Sequence, residues 1–148
     1  MRTKKLPSQT LLLTLFRYHP RSGVLRRWDG GECGRKVSVM NVDYWTARVV
    51  WKMKTGREPD GVIDFVDGNP ANLRWRNLQE LTHAQHRLVG RAHRSSGTGV
   101  RGVYKVGPGR YRAQLWRAGR AVSLGTFTSL RAAGQARRAA LSQVLEGN

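Results

Sequence analysis

Residues 63–77, which read IDFVDGNPANLRWRN, form the stretch that decides the fold. The β-branched and aromatic residues from Val62 to Val66 predict a strand, and the run Asp-Gly-Asn-Pro at 67–70 is a strong turn signal that closes it. Acidic and amide side chains, including Asp64 and Asn72, lie on this strand and on the loop that follows. Their oxygen atoms are the ligands that hard divalent cations prefer. The stretch therefore predicts a candidate site on a strand and a loop.

Periodicity and turn signals on both sides of this stretch predict an α+β fold. Residues 46–55 have apolar side chains at helical spacing, and Gly56 is positioned to end that helix. Near the C-terminus apolar and polar residues alternate with a period of two in three runs separated by turn signals, which predicts a three-stranded antiparallel sheet. A helical pattern follows, which predicts one C-terminal helix packed on this sheet. The predicted elements are a short helix after Ser8, a turn at 19–23, strands at 24–28 and 62–66, helices at 46–55 and from about Trp75 to Val89, strands at 100–105, 110–117 and 120–127, and a helix after Ser129.

Composition divides the chain into four predicted parts. Residues 1–35 form an N-terminal extension of a helix and a strand, and residues 36–91 form a module around the quoted stretch. Residues 92–99, rich in Ser and Gly, are a linker. Residues 100–148 form a separate domain that contains the sheet and the last helix.

Charge narrows the choice of partner. The chain has 27 Lys and Arg residues against 9 Asp and Glu, a formal net charge of +18, and Glu146 is the only acid after Glu80. Such an imbalance favours a polyanion, and the lack of a long apolar run excludes a membrane span. The lone Cys33 excludes a disulfide framework and a cysteine-based zinc site. We expect a cytoplasmic, intracellular protein whose partner is nucleic acid.

The predicted sheet has a face suited to nucleic acid. Alternation puts Tyr111, Ala113 and Leu115 toward the helix and leaves guanidinium, amide, hydroxyl and aromatic groups on the opposite side. Phosphate oxygens and base edges need such groups, although a merely solvated basic face is the simpler alternative. The predicted double-stranded DNA contacts are Arg101, Tyr104, Lys105, Arg110, Arg112, Gln114, Trp116, Arg117, Arg120 and Ser123.

Three segments of this region, 99–104 (GVRGVY), 111–115 (YRAQL) and 124–133 (LGTFTSLRAA), resemble the APETALA2-like DNA-binding domain. The resemblance implies a sheet that lies in the DNA major groove, and it adds Gly102 to the matching positions. Tyr104, Gln114 and Ser123 depart from the plant members. The recognition sequence of those members therefore does not transfer to this chain.

The segment around the quoted stretch resembles phage and homing-type HNH endonucleases, many of which end in an APETALA2-like module. The resemblance implies a ββα-metal-like module with Asp64 as the strand metal ligand and Asn77 as the helix metal ligand. It implies catalytic positions at Asn72 and at Phe65, which stands where the family has its general-base histidine. Ala47 falls where the family often has another histidine. The module is therefore degenerate.

Three functions remain open. Phenylalanine cannot accept a proton, and general-base catalysis contributes about 10²- to 10⁴-fold in rate. The leading hypothesis is a double-stranded DNA-binding protein whose cleavage is lost or strongly reduced, with no cofactor required for binding. An active nicking or homing endonuclease that uses Mg²⁺, with His83 or His86 replacing the base, is one alternative. A basic interaction or inhibitor protein with a protein partner in a nucleoprotein complex is the other. Asp64, Asn72 and Asn77 could also serve only to cap local backbone.

Overall fold

The computed structural model describes residues 4–147, which divide after His83 into two compact units. Each unit has its own hydrophobic core. Both combine helices with small antiparallel sheets, which confirms a mixed α and β architecture. Within residues 4–147, none of the helices has the length and apolar character needed to cross a membrane.

The first unit is built from short β-hairpins and two helices around one core. Leu12, Leu25, Val49 and Val50 are completely buried there. Each hairpin pairs two consecutive strands in antiparallel register. In chain order the elements are α1 (Gln9–Leu15), β1 (Phe16–His19), β2 (Val24–Arg27), β3 (Lys36–Val39), β4 (Val42–Trp45), α2 (Thr46–Thr55), β5 (Val62–Phe65), a 3-10 turn (Trp75–Asn77) and β6 (Leu78–Leu81).

Local sequence signals account for the helices that were predicted correctly. The Ser8 side chain accepts a hydrogen bond from the Leu11 N–H, at 3.3 Å, and so caps α1. Helix α2 ends at Gly56, whose φ of 76° is the left-handed conformation that glycine adopts without strain. The predicted boundaries of α2 are therefore confirmed.

The helix predicted from Trp75 to Val89 is wrong. Trp75–Asn77 is a 3-10 turn, Leu78–Leu81 is strand β6, and only His83–Val89, here α3, is helical. Leu78 and Leu81 are three residues apart, a spacing typical of one helix face, but both are buried on strand β6, which pairs with β5. A distant strand thus decides the conformation of this segment.

The N-terminal hairpin β1–β2 packs on the loop that follows β5. The Tyr18 hydroxyl donates to the Leu73 carbonyl at 2.5 Å, and the Trp75 N–H donates to the Pro20 carbonyl at 3.0 Å. A Cβ at Gly23 would lie 2.5 Å from the Arg74 nitrogen, so the close approach requires glycine. Burial raises the pKa of Tyr18 to about 12. The residues predicted as an extension therefore belong to the core of this unit.

The second unit contains the predicted meander and its covering helix. The sheet has strand order β7–β8–β9, and Val103, Ala113, Leu115 and Ala133 are buried between the sheet and the helix. Ser129 caps that helix by accepting from the Ala132 N–H at 3.1 Å. The elements are β7 (Val103–Gly107), β8 (Arg110–Arg117), β9 (Arg120–Phe127) and α4 (Leu130–Glu146).

The segment that precedes this sheet is tied to it by two arginines. The Arg137 Nη2 donates to the Leu88 carbonyl at 2.7 Å, and the Arg101 Nη1 donates to the Arg91 carbonyl at 3.3 Å. Burial lowers the pKa of Arg137, and the nearby charge of Arg101 adds to that effect. The positive charges of these arginines interact favourably with the carbonyl groups at the C-terminal end of α3.

The chain divides after His83, before the boundary that the sequence predicted at residue 91. The functional roles of the four predicted parts stay predictions.

Candidate functional site

A cavity of about 580 Å³ in the first unit lies beside the residue that replaces the expected histidine. Ala47, in the first turn of α2, and Phe65, at the end of β5, both line it. Ile63 and Leu73 supply further apolar wall. Ala47 and Phe65 are far apart in sequence, so the fold brings together the two positions where the resemblance implies histidines.

Asp64 lies on β5 between two residues that line the cavity, Ile63 and Phe65. Val62, Ile63 and Phe65 line the cavity, whereas Asp64 pairs with Gln79 on β6. Gln79, its cross-strand partner, donates from Nε2 to the Asp64 Oδ2 at 3.4 Å. The predicted base position thus lines the cavity, and the carboxylate of the predicted metal ligand has a hydrogen-bond partner on β6.

The carboxylate of Asp67 organises the loop after β5. Its Oδ2 accepts from the Asn72 Nδ2 at 2.6 Å, and its Oδ1 accepts from the Asn77 Nδ2 at 2.9 Å and from the Asn69 N–H at 2.8 Å. These hydrogen bonds, with the one from Asn72 strongest, lower the pKa of Asp67 although the side chain is exposed. Asn72 and Asn77 thus act together as donors to one carboxylate.

The amide oxygens of this donor set are already occupied by hydrogen bonds from the backbone. The Asn77 amide oxygen already accepts from the Asp67 N–H at 3.0 Å, and the Asn72 amide oxygen accepts from the Arg74 N–H at 3.3 Å. Phe65 offers no donor atom. Across residues 4–147 no three His, Cys, Asp or Glu side chains are grouped so as to hold a metal ion. The metal and catalytic roles of Asp64, Asn72 and Asn77 stay predictions, while their observed contacts are those of backbone and loop caps.

Replacing Asp67 with asparagine should destabilise the first unit in a pH-dependent way. A carboxyl with a lowered pKa in the folded state stabilises the fold above its ordinary pKa, near 3.8, and this contribution is lost as pH falls through the folded value. The urea midpoint of Asp67→Asn should therefore lie below that of the wild type at pH 7, and the gap should narrow as pH falls below 3.8.

Asp29→Asn is the matched control for this experiment, because Asp29 is an exposed acid of the same unit that bonds only its local turn, at the Gly31 N–H. Its urea midpoint should differ less from the wild type at pH 7. A gap between Asp67→Asn and the wild type that does not narrow as pH falls below 3.8 would contradict the assigned role of the carboxylate.

The outer face of the C-terminal sheet collects several of the predicted DNA contacts. Tyr104 of β7 pairs with Arg112 of β8, and Gln114 pairs with Ser123 of β9. The rings of Tyr104 and Trp116 are 50% and 57% exposed, so both can contact a partner. Alternation also places Arg110 on this face. We call Tyr104, Arg110, Arg112, Gln114, Trp116 and Ser123 the outer face.

Other predicted contacts lie elsewhere in this unit. Lys105, Arg117 and Arg120 have the opposite parity along their strands, because Lys105 pairs with Tyr111, and Arg117, two residues after Leu115, pairs with Arg120. Arg101 is bonded to the backbone at Arg91. Gly102 has a φ of 70° and packs against Arg137, which gives it a structural role. A DNA contact by any of these residues stays a prediction.

A comparison with protein families identifies the segment around the cavity. The family model described as HNH endonuclease matches residues 44–88, less than half of the chain. The chain carries an HNH-type domain. The match contains α2, β5, β6 and most of α3, and it includes both cavity positions, Ala47 and Phe65. Searches of curated proteins and of solved structures found no match.

The structure adds new evidence for two residues of this segment. His83 lines the cavity together with Phe65, whereas the sequence placed it in the middle of a long helix. Asp67 was predicted only as a turn residue, yet it receives both asparagine amides. The Asp-x-Asn spacing at 67–69 was the available signal, because Asp side chains commonly accept from the N–H two residues on.

Proposed function

We propose that the protein binds double-stranded DNA through the outer face, and that it derives from an HNH endonuclease whose cleavage is lost or strongly reduced. The main support for DNA binding is the composition of the outer face. It presents Arg112 and Gln114 beside two exposed rings, in a unit whose residues 84–147 contain twelve Lys and Arg but only one acid, Glu146. An APETALA2-like identity for this unit and a phage or mobile-element origin belong to the same proposal.

The chemistry of the outer face suits the major groove of DNA. That groove is wide enough to admit β-strands, and arginine can form two hydrogen bonds with guanine as glutamine can with adenine. Arg112 lies in the central strand, flanked by Tyr104 on β7 and by Thr126 on β9. With almost no carboxylate in the unit to pair with, its guanidinium remains available for phosphates and bases.

The HNH-type domain supports the second half of the proposal. In an active ββα-metal nuclease a base activates water and a cation polarises the phosphate. Here Phe65 and Ala47 line the cavity with carbon, and the amides of Asn72 and Asn77 are bonded to Asp67. No cofactor is required for DNA binding, and Mg²⁺ or another divalent cation matters only if cleavage persists.

Binding and cutting are tested together with the full-length protein. We expect a fluorescein-labelled random duplex to bind, with an affinity that falls steeply with salt, because each neutralised phosphate contributes about −0.9 to the logarithmic slope. Supercoiled plasmid incubated with the protein and Mg²⁺ or Mn²⁺ should stay supercoiled.

The two rival functions predict different results. Metal-dependent nicking that disappears in Asp64→Ala would show an active enzyme and overturn the loss of cleavage. In that case His83, which lines the cavity, is the candidate base, and its substitution is the next test. Failure to bind duplex at low salt would overturn DNA binding and favour a basic interaction protein with an acidic partner. Nicking gained by Phe65→His would show that the remaining scaffold still holds a metal.

A further inference from the structure

The cavity beside Phe65 has the size and lining of a ligand site. Its volume of about 580 Å³ falls within the range of small-molecule pockets, roughly 300–1,000 Å³. Ala47, Ile63, Leu73 and the rings of Pro59 and Pro70 form walls of carbon. These walls favour a flat apolar body, which can lie against the ring of Phe65.

The cavity also has a cationic and aromatic side. Trp45, which is 54% exposed, lines the cavity, and the Lys36 Nζ lies 4.8 Å from the centre of its ring. Arg35 lines the cavity as well and is exposed. Arg48 pairs with Glu58 at 3.1 Å, and the lining carboxylate Asp60 pairs with Arg57 at 3.4 Å. Arg35, with Lys36 beside it on the ring of Trp45, therefore provides the positive charge for a ligand there. The complementary ligand combines an aromatic ring with an anion.

We propose that this cavity takes one unpaired nucleobase of a bound DNA strand, with the adjoining phosphate at Arg35 and Lys36. The inference rests on the proposed function, because DNA binding delivers the strand. A nucleobase is flat and aromatic and always adjoins a phosphate, which matches both parts of the site. Stacking on aromatic side chains tolerates any base. The site therefore recognises that a base is unpaired, not which base it is.

Removing a base from the duplex stack requires energy, which is smallest where the base is already unpaired. Preference should thus appear as tighter binding to a bulged nucleotide. The experiment compares three labelled duplexes of one sequence: fully paired, with one bulged adenosine, and with an abasic bulge at the same place. The last retains the extra phosphate but lacks the base. We expect the bulged adenosine to bind at least about tenfold tighter than the abasic bulge, as stacking measurements on aromatic side chains indicate.

Two kinds of variant separate base from phosphate. Ala47→Leu fills the cavity and should remove the preference for the bulged base, while the affinity for paired duplex stays unchanged. Phe65→Leu keeps the wall apolar but removes the ring, so it should weaken the same preference if Ala47→Leu does not fold. Arg35→Ala should weaken binding of both bulged duplexes by a similar factor. Arg21 is an exposed arginine outside the cavity lining, so Arg21→Ala should leave the affinities for both bulged duplexes unchanged.

Equal affinity of the wild type for the bulged and abasic duplexes would overturn the inference, as would a preference that survives in folded Ala47→Leu. Loss of binding to all three duplexes would instead overturn the proposed function. Binding to the paired duplex therefore distinguishes a failure of the base-binding inference from a failure of the proposed function. Binding of free adenosine monophosphate with no preference among the duplexes would show a small-molecule pocket and would also overturn the inference.

Discussion

Gly102→Ala is expected to abolish tight duplex binding and to lower the free energy of unfolding of the second unit by at least about 2 kcal/mol. Gly102 has a φ of 70°, which disfavours any residue with a Cβ. The added Cβ would lie 2.5 Å from the Gln114 carbonyl oxygen and 2.6 Å from the Arg137 Nε. Both neighbours are confined, one by the central strand and the other by burial under the sheet. The strand must shift, and the outer face shifts with it.

Gly99→Ala is the matched control for Gly102→Ala. Gly99 also has a positive φ, 65°, but no heavy atom lies within 4 Å of the Cβ position. Only the conformational penalty of about 1 kcal/mol should remain, and DNA binding should persist. Urea unfolding gives the stabilities, and anisotropy with labelled duplex gives the affinities. Equal losses in both variants would contradict the packing argument.

Arg112→Ala should weaken duplex binding by about 5- to 150-fold, which corresponds to the roughly 1–3 kcal/mol of a good bidentate base contact. Arg112 occupies the centre of the outer face, between Tyr104 and Thr126. Its side chain is exposed, so we expect the fold to tolerate the change. Affinity at fixed salt on a selected target sequence gives the effect.

Arg138→Ala removes the same charge from an exposed position on α4, the helix packed against the opposite side of the sheet. Its effect should be no larger than the loss of one distant charge. If Arg138→Ala weakens binding as much as Arg112→Ala does, the sheet has no privileged face. The protein would then bind DNA only as a diffuse polycation.

Local signals predicted those parts of the fold that local interactions decide. Helix α2 and the C-terminal meander follow from periodicity, caps and turn residues such as Gly56 and Ser129. The segment 78–81 could not be assigned in this way, because the three-residue spacing of Leu78 and Leu81 favours a helix. Pairing with β5, a non-local interaction, decided it.

The sequence was sufficient to identify the residues of the candidate site, but not the contacts that they make. The sequence identified Phe65 and Ala47 as substitutions of expected histidines, but only the fold shows that both line one cavity. It also identified Asn72 and Asn77 as polar residues of the right type. Their bonds to Asp67 depend on the path of the loop, which the hairpin β1–β2 fixes from outside the motif.

The second unit combines a small core with a charge of one sign. Few side chains are fully buried between its sheet and α4, and Glu146 is the only acid within residues 84–147. Repulsion among like charges destabilises a compact state, and any ligand that binds only the folded form stabilises it. The DNA binding proposed for this unit and its folding are therefore thermodynamically linked: a bound nucleic acid would also serve as the counterion that stabilises its fold.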